Sequence, residues 1–239
     1  MCPTSPSDKE QPAVLTKDSP FKFSCNDSLL CFTQCCRDVN IYLTPYDILR
    51  LRRSLKIGSS EFLEEYTHQF VTRVSNVPMV LLKMTPDTLY CPLVTEIGCG
   101  VYENRPWACR MYPLDVDTKE GEYRPIVGKD RCFGFLEPAT LSVGEWLAGQ
   151  GLQPYVEMER IMQTAMPERF SPEAPMKEGL GRLLFLAYDL DSFSELLDDP
   201  SFRTHYPVDD EEVRRAREND EELLKLAYRY IRSQMEELY

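Results

Sequence analysis

Eight of the nine cysteines in this 239-residue chain lie between positions 25 and 132. Cys25, Cys31, Cys35 and Cys36 form a tight first group, spaced C-x5-C-x3-C-C. Cys91, Cys99, Cys109 and Cys132 form a looser second group, spaced C-x7-C-x9-C-x22-C. Thiolate is a soft ligand suited to zinc or to iron in a sulfur-rich shell. Four thiolates complete a tetrahedral site, and eight suffice for two such sites, two Fe–S clusters or one larger assembly. Residues 85–114 and 128–138 are rich in Pro, Gly and Cys and poor in apolar periodicity. Such chain needs a cross-link to hold a shape, and among reduced thiols a metal or cluster is the natural one. In extended backbone the adjacent Cys35 and Cys36 diverge toward different metals; a sharp turn brings both to one. Both readings stay open.

Other uses of cysteine explain the pattern less well. Packing as a small buried hydrophobe accounts for one or two of the eight, not for eight confined to one stretch. A disulfide framework belongs to exported proteins. The start, MCPTSPSDKEQPAVLTKDSP, shows neither a basic n-region nor an apolar core, so no secretory signal is expected. No C-x-x-C of the thioredoxin kind is present. Without a long apolar run no membrane span is expected either, and the chain reads as cytoplasmic. Cys2 reads as incidental.

Net charge is −12 and unevenly spread. Residues 21–138 hold 14 basic and 15 acidic side chains, whereas residues 139–239 hold 11 and 21. Neither part offers the cationic surface that a phosphate backbone requires, so no nucleic-acid partner is expected. The acidic part reads first as a solvated, charged face, and second as a surface for a basic protein partner.

The expected fold class is α+β, predominantly helical. A small irregular, metal- or cluster-stabilised cysteine-rich domain is followed by an all-helical C-terminal region. Residues 1–20 read as a disordered leader, 21–138 as the cysteine-cluster metal-binding domain and 139–239 as an acidic helical region. Thr44-Pro45-Tyr46-Asp47 signals a capped helix start, with Ile48, Leu51 and Leu55 on one face and Gly58 closing the segment. Ser60 is expected to cap a second helix burying Phe62, Leu63, Tyr66 and Phe70. Residues 77–84 and 123–127 read as strands. Beyond Pro138, Ser142 is expected to cap a helix, 155–166 has helical spacing, and 180–190 reads as a central helix. Asp209 and Asp210 precede one long charged helix with Val213, Leu224 and Ile231 on its apolar side.

Around the second cysteine group, Arg105 and Arg110 flank Cys109. A guanidinium near a thiolate site offsets its charge or donates to sulfur. The alternative is surface arginines paired with Glu103 and Asp115. Tyr102, Trp107 and Tyr112 are expected to shield the site by packing. The run CPLVTEIGCGVYENRPWACRMYP, with the Cys35-Cys36 pair upstream, resembles the YkgJ-like cysteine-cluster family of zinc- or iron-chelating domains, the CxxCxxCC type. The early group departs from the family's tighter spacing, although all four sulfurs remain. The resemblance covers about residues 21–135. It implies that Cys25, Cys31, Cys35, Cys36, Cys91, Cys99, Cys109 and Cys132 are metal ligands. It also points distantly to flagellin lysine N-methylases, but no glycine-rich cofactor loop supports methyl transfer here.

His68 and His205 are the only histidines, and neither belongs to an H-x3-H or H-E-x-x-H pattern. No nucleophile elbow or phosphate loop is present, so no catalytic residue is assigned. Three function classes remain. The first is a metal or Fe–S protein for electron transfer, metal handling or an accessory role. The second is a structural zinc protein whose acidic helices recruit a partner. The third is a cluster-dependent enzyme. Iron or an Fe–S cluster is preferred over zinc, because zinc ribbons show paired C-x-x-C knuckles. If the cysteines hold a structural metal, Cys109→Ser should open residues 85–135 to proteolysis and spare most C-terminal helicity. Limited digestion with circular dichroism checks this.

Overall fold

The structure, a computed structural model, describes residues 14–72, 77–166 and 179–238. Cys2 and most of the expected leader therefore lie outside the described residues. Contacts sort the chain into two units that interleave in sequence. One joins Met1–Cys35 to Arg110–Gly151, and the other joins Cys36–Cys109 to Leu152–Tyr239. The breaks fall inside both cysteine groups, between Cys35 and Cys36 and between Cys109 and Arg110. The compact units thus do not follow the linear division at residue 138.

The first unit is built from short antiparallel pairs and an aromatic core. Strand Pro20–Lys22 pairs with Thr140–Ser142, and Leu114–Val116 pairs with Tyr123–Pro125. Leu15 and Tyr123 exchange backbone hydrogen bonds of 2.7 and 2.8 Å. Residues 15–20, expected in the leader, are therefore bound into the fold by backbone pairing that composition does not advertise. Phe21 stands edge-on to Trp146 at 5.2 Å and stacks on Phe23 at 5.5 Å, with Phe135 against both. Gly134 is required here: a Cβ would sit 2.6 Å from the Phe23 ring and 2.8 Å from the Ser24 carbonyl oxygen. The helix Val143–Ala148 starts as expected. Ser142 Oγ accepts from the Glu145 N–H, and Glu145 accepts in return from the Ser142 N–H.

The second unit holds a three-stranded antiparallel sheet with Pro78–Leu82 between Tyr42–Leu43 and Thr67–Val71. Pro78, Val80 and Leu82 alternate inward, the period-two pattern of a half-buried strand. Helix Pro45–Leu55 carries the expected capping box between Thr44 and Asp47. It is closed not by Gly58 but by Lys56, which takes the left-handed conformation at φ 60° and returns its N–H to Arg52 and Arg53. Gly58 instead precedes helix Ser59–Tyr66, so Ser60 is not the cap. The Ser59 and Ser60 hydroxyls both donate to Asp189. That helix also stops earlier than expected. Thr67, Phe70 and Val71 favour a strand once Pro78–Leu82 offers a partner edge, so Phe70 is exposed and His68 lies on the strand.

From residue 152 onward the described elements of this unit are helices: Gln153–Ala165, Leu180–Phe185, Leu190–Leu196, Pro200–His205, Asp210–Glu218 and Asp220–Leu238. The single helix expected over 180–190 is two, because Asp189 accepts from the Ser192 N–H and starts a new one. The long charged helix is also two. Asn219 breaks it, its side chain accepting from the Glu221 N–H. Tyr46, Leu49, Phe193, Leu224, Ile231 and Met235 belong to the core these helices share. Arg52 and Arg53, in the last turn of Pro45–Leu55, pair at 2.6 and 2.9 Å with Asp220 in the first turn of the final helix. Both ends suit their helix dipoles.

One buried carboxylate organises this unit. Asp47, 1% exposed, accepts from the Thr44 N–H and hydroxyl through Oδ2 at 2.8 Å each. Through Oδ1 it accepts from the Trp107 N–H, also at 2.8 Å. It thereby caps both its own helix and Trp107–Met111. Asp47→Ala should lose about 3 kcal/mol of stability, from a lost cap and orphaned buried donors. A fall in the urea midpoint for Asp47→Ala, smaller for Asp47→Asn, is the measurement.

Candidate functional site

Cys31 opens a turn closed by the Gln34 N–H donating to the Cys31 carbonyl at 3.0 Å, and Cys35 follows it directly. Cys25 lies on the preceding segment, and Cys132 leads into the turn Phe133–Leu136. These four thiols come within electrostatic reach of one another. Burial, then the neighbouring Cys35, Cys132 and Cys31, push the Cys25 thiol up to about 11. Cys132, itself buried, is raised first by that burial and further by Cys31 and Cys35. Two groups work against this rise, the Gly134 N–H and the Tyr112 hydroxyl, both donating to the Cys132 sulfur. The Tyr112 hydroxyl is in turn raised by burial and by the same thiols. The Phe133 N–H points at Cys31 Sγ, 3.2 Å away. Amide and hydroxyl donors aimed at sulfur are what a thiolate needs to stay charged.

The other four cysteines gather in the second unit. Cys91 is buried in an apolar cluster with Ile41, Leu82, Leu93 and Val101, and Cys36, Cys99 and Cys109 pack against that cluster. The Cys91 N–H donates to the Cys36 carbonyl at 2.7 Å. The Val94 N–H returns to the Cys91 carbonyl, and Val94 pairs across a two-stranded turn with Cys99. Cys109 rides on helix Trp107–Met111, whose first N–H is held by Asp47.

The two arginines that flank Cys109 separate. Both are buried, which excludes the surface reading. Arg105, in the second unit, donates to the Tyr102 carbonyl at 2.9 Å and lies 3.9 Å from the Tyr102 ring centre. Its own carbonyl accepts from the Tyr155 hydroxyl at 2.9 Å. Arg110, in the first unit, donates to the Gln150 carbonyl at 2.7 Å. Of the aromatic residues expected as a shield, Tyr112 touches sulfur and Tyr102 covers Arg105. Trp107 packs instead on the helical core.

Among the described residues, no group of three or more His, Cys, Asp or Glu side chains is arranged to hold a metal ion. The expected metal- or cluster-stabilised domain is corrected to that extent: the cysteines are gathered, but they are not closed around a point. Neutral thiols pack as small apolar groups, and the packing of their segments sets where they lie. The donor chemistry nevertheless suits a soft cation, with eight thiols and N–H donors directed at two of the sulfurs.

Sequence reading missed three contributors. The Phe133 and Gly134 amides carry no side-chain signature. Asp47 was legible as a first-turn carboxylate, but its hold on Trp107, 60 residues away, was not.

Residues 24–127 match the model of the CxxCxxCC family, described as "Putative zinc- or iron-chelating domain". The match ends short of Cys132. No curated protein and no solved structure matches the chain.

Folding raises the Cys25 pKa from 9.0 to about 11, so the folded state favours the neutral thiol. That contribution is complete below about pH 9 and is lost as pH rises through 11. The metal-free protein should lose urea resistance across this window, and Cys25→Ser should flatten the loss.

Proposed function

We propose that this protein binds iron, as an ion or an Fe–S cluster, through its eight clustered cysteines, with zinc as the alternative metal. The protein then serves electron transfer, metal handling or an accessory role. One observation carries the reading: the Phe133 N–H, next to Cys132, points at Cys31 Sγ 3.2 Å away, and Cys25 and Cys35 lie within electrostatic reach of Cys132, although these segments are about a hundred residues apart. Cys25 and Cys132 are held toward the neutral thiol by burial and by the neighbouring cysteines, and a soft cation is the group that would relieve that repulsion. The family description points the same way. When bound, such a group supplies redox or structural cross-linking chemistry, and the chain supplies thiolates, donors to sulfur and charge balance. The buried Arg105 and Arg110 offset part of the negative charge that thiolates bring.

The partner reading of the acidic helices takes second place. Much of their charge is spent within the region: Arg214 pairs with Glu211 and Glu218, Arg229 with Glu212, and Arg217 with Asp198. We assign the chain to the cytoplasm, where thiols stay reduced. No helix among the described residues is long and apolar enough to cross a membrane.

Anaerobic, chelator-free purification followed by analysis for Fe, Zn and acid-labile sulfide tests the proposal. Iron, with sulfide and visible absorption if a cluster is present, is the expected result. Zinc alone in a colourless protein selects the alternative metal, and a metal-free protein refutes chelation.

A further inference from the structure

We infer that the eight cysteines form two separate metal sites, one in each unit. Cys25, Cys31, Cys35 and Cys132 make one, and Cys36, Cys91, Cys99 and Cys109 make the other. The inference rests on the chelation reading and adds the ligand partition, which cuts across both groups visible in the sequence.

Three observations carry it. First, the breaks between the units run between Cys35 and Cys36 and between Cys109 and Arg110, so each unit receives four cysteines. Second, Cys35 and Cys36 lie in the 3-10 turn Gln34–Cys36. Successive side chains there diverge by about 120°. Cys35 falls in the unit of Cys25, Cys31 and Cys132, where the Phe133 N–H next to Cys132 points at Cys31 Sγ, whereas Cys36 packs on the apolar cluster around Cys91 and holds the Cys91 N–H through its carbonyl. Two adjacent thiols so divided are assigned to different ions. Third, Cys132 stands outside residues 24–127, the span of the family match, yet it joins the set built on Cys25, Cys31 and Cys35. It arrives with Tyr112 and the Phe133 and Gly134 amides, which donate to sulfurs of this set. Without Cys132 the first set is left with three sulfurs and an open position, whereas a closed site takes four.

The two buried arginines divide in the same way. Arg110 belongs to the first unit and Arg105 to the second. A four-thiolate site around a divalent ion carries a charge of −2, so one buried cation in each unit is consistent with two sites.

Co²⁺ is a suitable probe, because thiolate ligation gives it strong charge-transfer absorption. The full chain, stripped of metal under anaerobic conditions, should bind two Co²⁺. Paired substitutions separate the readings. Cys35→Ser with Cys132→Ser removes two ligands of one site and should still bind one Co²⁺. Cys35→Ser with Cys36→Ser damages both sites and should bind none. The partition alone is overturned if wild type binds two and the Cys35/Cys36 pair keeps one, or if the Cys35/Cys132 pair loses both. Wild type binding none overturns chelation, and this inference with it. A second measurement needs no variant to fold. Brief oxidation of the metal-free wild type, mapped by mass spectrometry, should link cysteines only within a set. A Cys35–Cys36 disulfide, or any other link between the sets, overturns the partition.

Discussion

Thiols held close together and partly out of water make each other's ionisation unfavourable, and the first unit is arranged around that difficulty. Cys25, Cys31, Cys35 and Cys132 come from the N-terminal segment and from a turn about a hundred residues later. The aromatic contacts of Phe21, Phe23, Phe135 and Trp146 bring those segments together. Gly134 allows the closest approach, since its missing Cβ is what lets the Cys132 turn lie against Phe23 and Ser24. The chain then places donors where thiolates would need them: Tyr112 and the Phe133 and Gly134 amides. Hydrophobic packing sets the distance between the sulfurs, and the donors moderate their repulsion.

The second unit meets a similar demand with different chemistry. Its cysteines are in or against an apolar cluster, where Ile41, Leu82, Leu93 and Val101 surround Cys91. What positions Cys109 is electrostatic. Asp47, nearly inaccessible to water, holds the start of the short helix that carries it. A five-residue helix has little stability of its own, so this one depends on the long helix Pro45–Leu55 for its place. Paired charges at Arg52, Arg53 and Asp220 tie that long helix to the last one.

Local signals were read well where a short-range mechanism produced them. Thr44 with Asp47, and Ser142 with Glu145, form the capping boxes their spacing implied, and the strands near 77–84 and 123–127 are present. Readings failed where a distant partner decided the outcome. Phe70 has the spacing of a helical core residue, but the neighbouring strand draws it into a sheet and leaves it exposed. Asn219 and Asp189 each interrupt a periodic apolar run by capping a new helix. Lys56 took the left-handed position that Gly58 was better suited to fill, because the backbone turned two residues sooner.

The eight cysteines, the vicinal pair, the RPWACR setting and the family they indicate are properties of the sequence alone, because residue type and spacing define a soft-ligand set wherever the chain goes. Which cysteine stands beside which is not. Thiols have no pairing preference of their own, so companionship follows from where packing brings the segments. Only the tertiary structure set Cys132 beside Cys25 and turned Cys35 and Cys36 toward different neighbours. The groups seen along the chain are neighbours in sequence, whereas the units formed by packing divide the eight cysteines otherwise, four to each.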